Sequence, residues 1–325
     1  MDKATKIWLT AAAALILFGA ILFAGAMTVM NWDFRKMSTD QYETNRHEIT
    51  EDFHSISIYS DTADISFILS EDESCSVVCY ESKNVTHSVS AADGTLVIRA
   101  VDQRKWYEHL SFHFGSPKIN VYLPKQQYTS LFVEENTGDI EVPKDFQFEN
   151  ATLLLSTGNV SYFAAASENL SIEASTGSIR VENTCAGAMD LSVTTGSITV
   201  SQVTCPGVLS TYVSTGNTRL SHVSCKNLLS EGSTGDLFLK SVIAEEAFSI
   251  TRTTGDVSLD SADAAEIFIR TGTGDVTGSL LSDKLFIAQS STGSVNVPTT
   301  TTGGKCEIRT STGSIKITVT GGQES

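Results

Sequence analysis

Three aspartates, Asp236, Asp256 and Asp275, each follow a glycine at nearly constant spacing. Carboxylates stacked one above another at β-strand separation repel by about 1 kcal/mol per pair in water, and by a few when partly desolvated. Calcium would relieve that repulsion through oxygen ligands. A raised pKa or outward rotation of the side chains would relieve it too. The whole column reads Asp139, Asn159, Ser178, Ser197, Asn217, Asp236, Asp256, Asp275, Ser294 and Ser314. These are the side chains that hydrogen-bond local backbone in turns, so turn bonding accounts for most of the column without an ion. The nine-residue Gly-Asp period of calcium-binding β-rolls is absent.

Two other groups carry chemistry. Residues 104–114 read RKWYEHLSFHF, dense in rings and cations. Trp106 and Tyr107 could stack on a glycan or other ligand, with His109 and His113 beside them; alternatively, the rings fill the gap below a stack of strands. No Glu follows His109 in metalloprotease fashion, so the pair makes no zinc motif. Cys185, Cys205 and Cys225 are 20 apart. In-register stacking is poor geometry for a disulfide, and free cysteine is a good small core residue; a buried, reduced column is expected. No cysteine pair has zinc-knuckle spacing. Nothing assigns a catalytic residue or a cofactor.

The elements that position these groups are repeats. NTGDI, STGNV, STGSI and their relatives recur around Gly138, Gly158, Gly177, Gly196, Gly216, Gly235, Gly255, Gly274, Gly293 and Gly313, always 19 or 20 residues apart. So strict a period means stacked units. Apolar residues alternate on both sides of each glycine, as in LSVTTGSITV from Leu191, which is the signal of a strand. Each repeat therefore reads as strand, tight turn, strand and a looser return. Stacked in register, ten units make an all-β parallel solenoid (β-helix) roughly 48 Å long at about 4.8 Å per coil. The glycine is expected to supply positive φ. Parity turns the threonine before each glycine inward, where its hydroxyl can bond the next coil or the next threonine. Inward threonines do not make the flat, outward array that ice binding needs.

Residues 7–30, IWLTAAAALILFGAILFAGAMTVM, are 24 residues without a charge. As a helix they span about 36 Å, enough to cross a bilayer. An uncleaved signal anchor is expected, with the carboxyl-terminal domain outside the cell, although the flanking charges are balanced. The chain then divides into a tail (1–6), a transmembrane helix (7–30), a juxtamembrane linker (31–46), a β-rich cap (47–135), the solenoid (136–320) and a short tail (321–325). DTADI at 61–65 looks like a degenerate repeat. A formal charge of −16 argues against nucleic acid as a partner and favours cations or cationic peptides.

The apolar helix followed by WDFRKMST, YETN, DTADISFILSEDESCSVVCYE, DGTLVIRAVDQRKWYEH, SPKINVYLPK and the STGDI-like repeats resembles a bacterial family. It is the putative-adhesin family of β-strand-repeat domains of unknown function, of the membrane-anchored, Gram-positive type. The resemblance implies a β-solenoid at the membrane or cell surface, with some relatives linked to envelope stress, and it transfers no catalytic residue. Function is expected to be that of a non-catalytic, adhesin-like binding scaffold at the cell envelope, meeting a cell-wall glycan or a surface protein. An envelope-stress accessory that senses or sequesters cationic peptides is the alternative. A β-helix polysaccharide enzyme is disfavoured, because coils without insertions build no cleft walls.

Overall fold

The computed structural model describes residues 2–32, 42–71, 73–104 and 116–320. The apolar run forms one helix, α1 (Lys3–Val29). Its stretch Thr5–Val29 has a mean hydropathy of 2.4 and is long and apolar enough to cross a membrane. Strands β1 (Tyr42–Ile49), β2 (Ser55–Thr62), β3 (Asp64–Leu69), β4 (Cys75–Ser82), β5 (Val85–Ala92), β6 (Thr95–Asp102) and β7 (Lys118–Leu123) precede the first signature glycine. Gly138 joins β8 (Gln127–Thr137) to β9 (Ile140–Val142), and Gly158 joins β10 (Gln147–Thr157) to β11 (Val160–Tyr162). The ladder then passes unbroken through its corners in β12 (Ala165–Thr215). It continues as β13 (Thr218–Thr234), β14 (Leu237–Thr254), β15 (Val257–Thr273), β16 (Val276–Leu280), β17 (Lys284–Thr292), β18 (Val295–Asn296), β19 (Gly304–Thr312) and β20 (Ile315–Val319).

The coils stack in parallel and in register: Thr215 faces Thr234, Thr234 faces Thr254, and Thr254 faces Thr273. The architecture is a parallel β-solenoid. Its core is one continuous cluster, in which Leu153, Ile172 and Leu191 line one side and Val160, Ile179 and Ile198 the next, all buried.

Each coil has three sides. The first corner is the signature glycine, with φ between +126° and +157°. A side chain is excluded there twice over. At Gly216 (φ +135°) a Cβ would lie 1.6 Å from the carbonyl oxygen of Gly196 in the coil below. The second corner is a left-handed residue six positions further on: Asn183, Gln202, His222, Ser241 or Ser261, with φ between +52° and +55°. The third is a register shift, as between Cys225 and Asn227. The return segment is therefore itself a strand, in which residues 223–225 pair with 242–244.

The solenoid also reaches further toward the amino terminus than its glycines do. Thr62 pairs with Thr137, so DTADI takes the signature's place with Ala63 at the corner. Strand β2 lies between β6 and β8, and β3 between β7 and β9, all parallel. The segment 47–135 thus supplies two coils as well as a cap. The covering strands are β5 on β6, β4 on β7 and β1 on β4, all antiparallel. Strand β1 begins at Tyr42, within the stretch read as linker, and Tyr42 stacks on Tyr80 at 5.2 Å.

Coil order is inverted at both ends. The first coil in the chain, β2–β3, sits inside the second, β6–β7. At the other end β19 lies between β15 and β17, and β20 between β16 and β18. The corners therefore run Gly255, Gly274, Gly313, Gly293. A periodic signature is blind to this order, because every coil offers the same ladder on both its edges.

Candidate binding surfaces and buried polar clusters

The ten corner threonines, Thr137, Thr157, Thr176, Thr195, Thr215, Thr234, Thr254, Thr273, Thr292 and Thr312, are exposed. Alternation alone predicts them inward, and the structure corrects this. The last inward side chains come two residues earlier, as at Leu155, Ala174 and Val193. The chain then swings round the corner and carries the threonine out with it. No hydroxyl of this column is bonded to a neighbouring coil or to another threonine. Together with Ser156, Ser175, Thr194 and their equivalents they form a solvent-facing polar edge along the rod. Because the edge is a corner, it is no flat ice-binding face.

The column after the glycine bonds between coils rather than within its own turn. Asp139 Oδ1 accepts the backbone N–H of Asn159 at 2.7 Å, and Asn159 Oδ1 that of Ser178 at 3.0 Å. Asn217 Oδ1 accepts from Asp236 at 2.8 Å, Asp236 Oδ1 from Asp256 at 2.9 Å, and Asp256 Oδ1 from Asp275 at 2.7 Å. Asp275 Oδ1 accepts from Ser314 at 2.7 Å, across the inverted step. An acceptor on a short side chain is what this position requires, so it holds Asp, Asn or Ser. Such charge-assisted bonds stabilise a carboxylate without a counter-ion. Asp236, Asp256 and Asp275 are not gathered as a ligand trio. Among the described residues, the one such group with donor atoms mutually within 4.8 Å is Cys79, Glu81 and His87.

The cysteines divide. Cys205 and Cys225 are buried and face each other in register. Burial, reinforced by Cys205, pushes the Cys225 thiol up to about 12. Cys185 is exposed, against the buried column expected. The constant spacing of 20 misleads, because position is counted from the second corner. Cys205 and Cys225 stand three residues beyond Gln202 and His222, whereas Cys185 stands two beyond Asn183. The buried equivalent there is Ala186. All six cysteines are free. Trp106, Tyr107, His109 and His113 lie outside the described residues.

Two of the buried charged side chains, Glu135 and Arg252, interrupt an apolar column. Each lies three residues before a glycine corner, where neighbouring coils carry Leu155, Ala174, Val193 and Val213. An ionisable residue in that inward slot was the available signal. Glu135 is 1% exposed. Its Oε1 accepts the backbone N–H groups of Ala63 at 3.3 Å and Thr137 at 3.2 Å, Ser60 donates to the same carboxyl, and Oε2 has no partner. Burial foremost raises its pKa to about 7; the three hydrogen bonds oppose the rise and Asp61 adds to it. Ser60 Oγ is also 3.5 Å from His87 Nε2, and His87 Nδ1 is 2.7 Å from Glu81 Oε2. Asn45 Nδ2 donates to Glu81 Oε1 at 2.7 Å. Carboxylate, imidazole and hydroxyl in that order can serve a nucleophile. Here Ser60 is buried, between His87 and the Glu135 carboxyl, so the cluster ties the cap strands to the first coils.

Arg252 is 3% exposed. Its Nη2 donates to Ser230 Oγ at 2.9 Å and Thr218 Oγ1 at 3.3 Å, while Nε and Nη1 have no partner. Burial lowers its pKa to about 10, partly countered by Asp236. It fits because its register neighbour is Gly232, where a Cβ would stand 2.0 Å from Nη1.

On the outside, Asn183, Gln202, Thr204, His222, Ser224, Ser241 and Ile243 line a shallow trough along the second corner. An apolar helix followed by a capped parallel β-solenoid with repeating polar edges defines the class by its architecture. The chain belongs to the Toastrack DUF4097 family, whose model matches residues 53–211 and 207–325. No curated protein matches it. Among solved structures, a putative adhesin from Bacteroides fragilis is similar at 13% identity and a TM-score of 0.39, covering 87% of this chain and 99% of that one. A putative lipid binding protein from Parabacteroides distasonis aligns at 14% identity and 0.46, covering 86% and 98%. A putative cell adhesion protein from Clostridium sporogenes aligns at 12% and 0.23, covering 87% and 100%.

Proposed function

We propose that the chain is a membrane-anchored, surface-displayed binding scaffold without catalytic activity, adhesin-like, that meets an extended partner such as a cell-wall glycan. The observation that carries this reading is the run of outward hydroxyls and amides at constant coil spacing, along the glycine corner and the second-corner trough. A polymer with its own repeat can bond such columns many times over, and avidity then replaces single-site affinity. Helix α1 serves as an uncleaved anchor with the solenoid outside. Its charge-free length supports this, as do Trp8 and Trp32 at its two ends, placed as interfacial aromatics are.

Full-length protein in detergent is incubated with isolated cell-wall polysaccharide and sedimented. Retention is expected, and it should fall at least tenfold when the exposed trough residues Thr204 and Ser224 are both replaced by Trp. Failure to sediment with any envelope glycan sinks the reading. The formal charge of −16 and the exposed Asp139, Asp256 and Asp275 support a second reading, capture of cationic peptides. That mode would weaken steeply with salt, whereas hydroxyl-mediated glycan binding would not. Carbonate washing tests the anchor: protein released into the supernatant, starting near residue 27, would remove it.

A further inference from the structure

We infer that the far end of the solenoid is a self-association surface, at which two copies join tail to tail through the edges of β17 and β18. The inverted order makes this coil outermost. Strand β17 pairs with β19 and β18 with β20, and among the described residues nothing pairs with their outer edges. A row of unpaired backbone groups is a template for another strand. The core is open there as well. Phe248, Ile250, Ile267, Ile269, Cys306 and Ile308 fill two inward columns and are at most 2% exposed, whereas Phe286 and Ala288 in the same columns are only partly buried. Leu285, Ile287 and Val295 are 44%, 50% and 44% exposed.

Charge selects the occupant. No ionisable side chain stands between Lys284 and Lys305. The coil inside it carries Lys305, Glu307, Arg309 and Lys316, so stacking in chain order would have put a charged coil at the end. The opposite end is guarded, since β1 bears Glu43, Arg46 and Glu48. Acidic copies repel one another over most of their surface, and a neutral end is where two of them can meet. It offers a cationic partner nothing to pair with. A two-fold axis would set β17 of one copy antiparallel to β17 of the other, an isologous contact in which each Phe286 and Ala288 closes the other's core. Such a contact should strengthen or hold as salt rises. It is independent of what the sides of the rod bind.

The test uses full-length protein in detergent. Light scattering over a concentration series is expected to show a monomer–dimer equilibrium. Ile287→Lys, at a half-exposed position that should not disturb folding, is expected to weaken the dimer at least tenfold. In a Cys185→Ser background, Gln289→Cys should form an interchain disulfide on mild oxidation, and Glu51→Cys at the opposite end should not. Three outcomes overturn the inference: wild type monomeric at the highest concentration, a dimer indifferent to Ile287→Lys (an association through α1), or cross-linking of Glu51→Cys as readily as Gln289→Cys.

Discussion

Replacing Glu135 by Gln should change how stability depends on pH, and the sign follows from burial. The carboxyl titrates near 4.5 in an unfolded chain and at about 7 in the fold. Between those values the folded protein holds a proton that the unfolded chain has released, so stability falls as pH rises. The contribution is complete below about pH 4.5 and lost above about pH 7. Each unit of separation is worth about 1.4 kcal/mol, which makes the swing roughly 3 kcal/mol. Glutamine does not titrate, and its carbonyl oxygen can still accept from Ala63 and Thr137. Asp61 stands beside the carboxyl, and Glu81 and His87 lie beyond Ser60, in both proteins alike. The assay is chemical denaturation of full-length wild type and Glu135→Gln in detergent, followed by circular dichroism from pH 4 to 8. Wild type is expected to lose roughly 3 kcal/mol relative to the variant across that window. Parallel curves, or wild type gaining stability relative to the variant as pH rises, would show that Glu135 is ionised in the fold at neutral pH.

Further outcomes follow from the corners and the core. Gly235→Val should destabilise by several kcal/mol, since φ is +126° and a Cβ would lie 1.9 Å from Gly216 O, while Ser233→Ala should cost about 1 kcal/mol or less; equal thermal midpoints would refute the corner argument. Arg252→Met removes a buried, half-partnered cation and should be neutral or stabilising by about 1–4 kcal/mol; a loss of about 3 kcal/mol or more would mean the guanidinium has a partner not yet identified. A thiol reagent under native conditions should modify Cys185 rapidly and leave Cys205 and Cys225 untouched; mass spectra showing all three modified together would contradict their placement.

The coil was legible because its two demands leave clear marks. Glycine is forced by close stacking at the first corner, and alternation is forced by burial on the sides. The second corner was not read, because Asn183, Gln202, His222, Ser241 and Ser261 have no residue type in common. Only their shared distance of six from a glycine betrays them. Parity failed at the threonines, since alternation holds along a strand and stops where the backbone turns. It failed for Cys185 for a related reason, as a one-residue difference beyond a corner exchanges inside for outside. Glu135 and Arg252 were readable in principle, each being a charge in an apolar column. Glu81 and His87 were not, because they meet across an antiparallel pairing that no periodicity specifies.

The inverted coils bear on how the molecule is made. A chain synthesised from its amino terminus finishes residues 284–297 before residues 304–319, which must lie beneath them. The outermost board is thus cut before the one that supports it, and it finds its permanent neighbour only after the next coil has been made. A product stopped near residue 300 would lack an inner layer rather than the outer one. Its last coil would be left without β19 and β20, the strands it rests on in the complete fold. At the start, β2 and β3 emerge early and wait between two faces for β6, β7 and β8 to close over them. The rod therefore cannot grow by simple addition at one end; its first and last layers are sealed by material that comes from elsewhere in the chain.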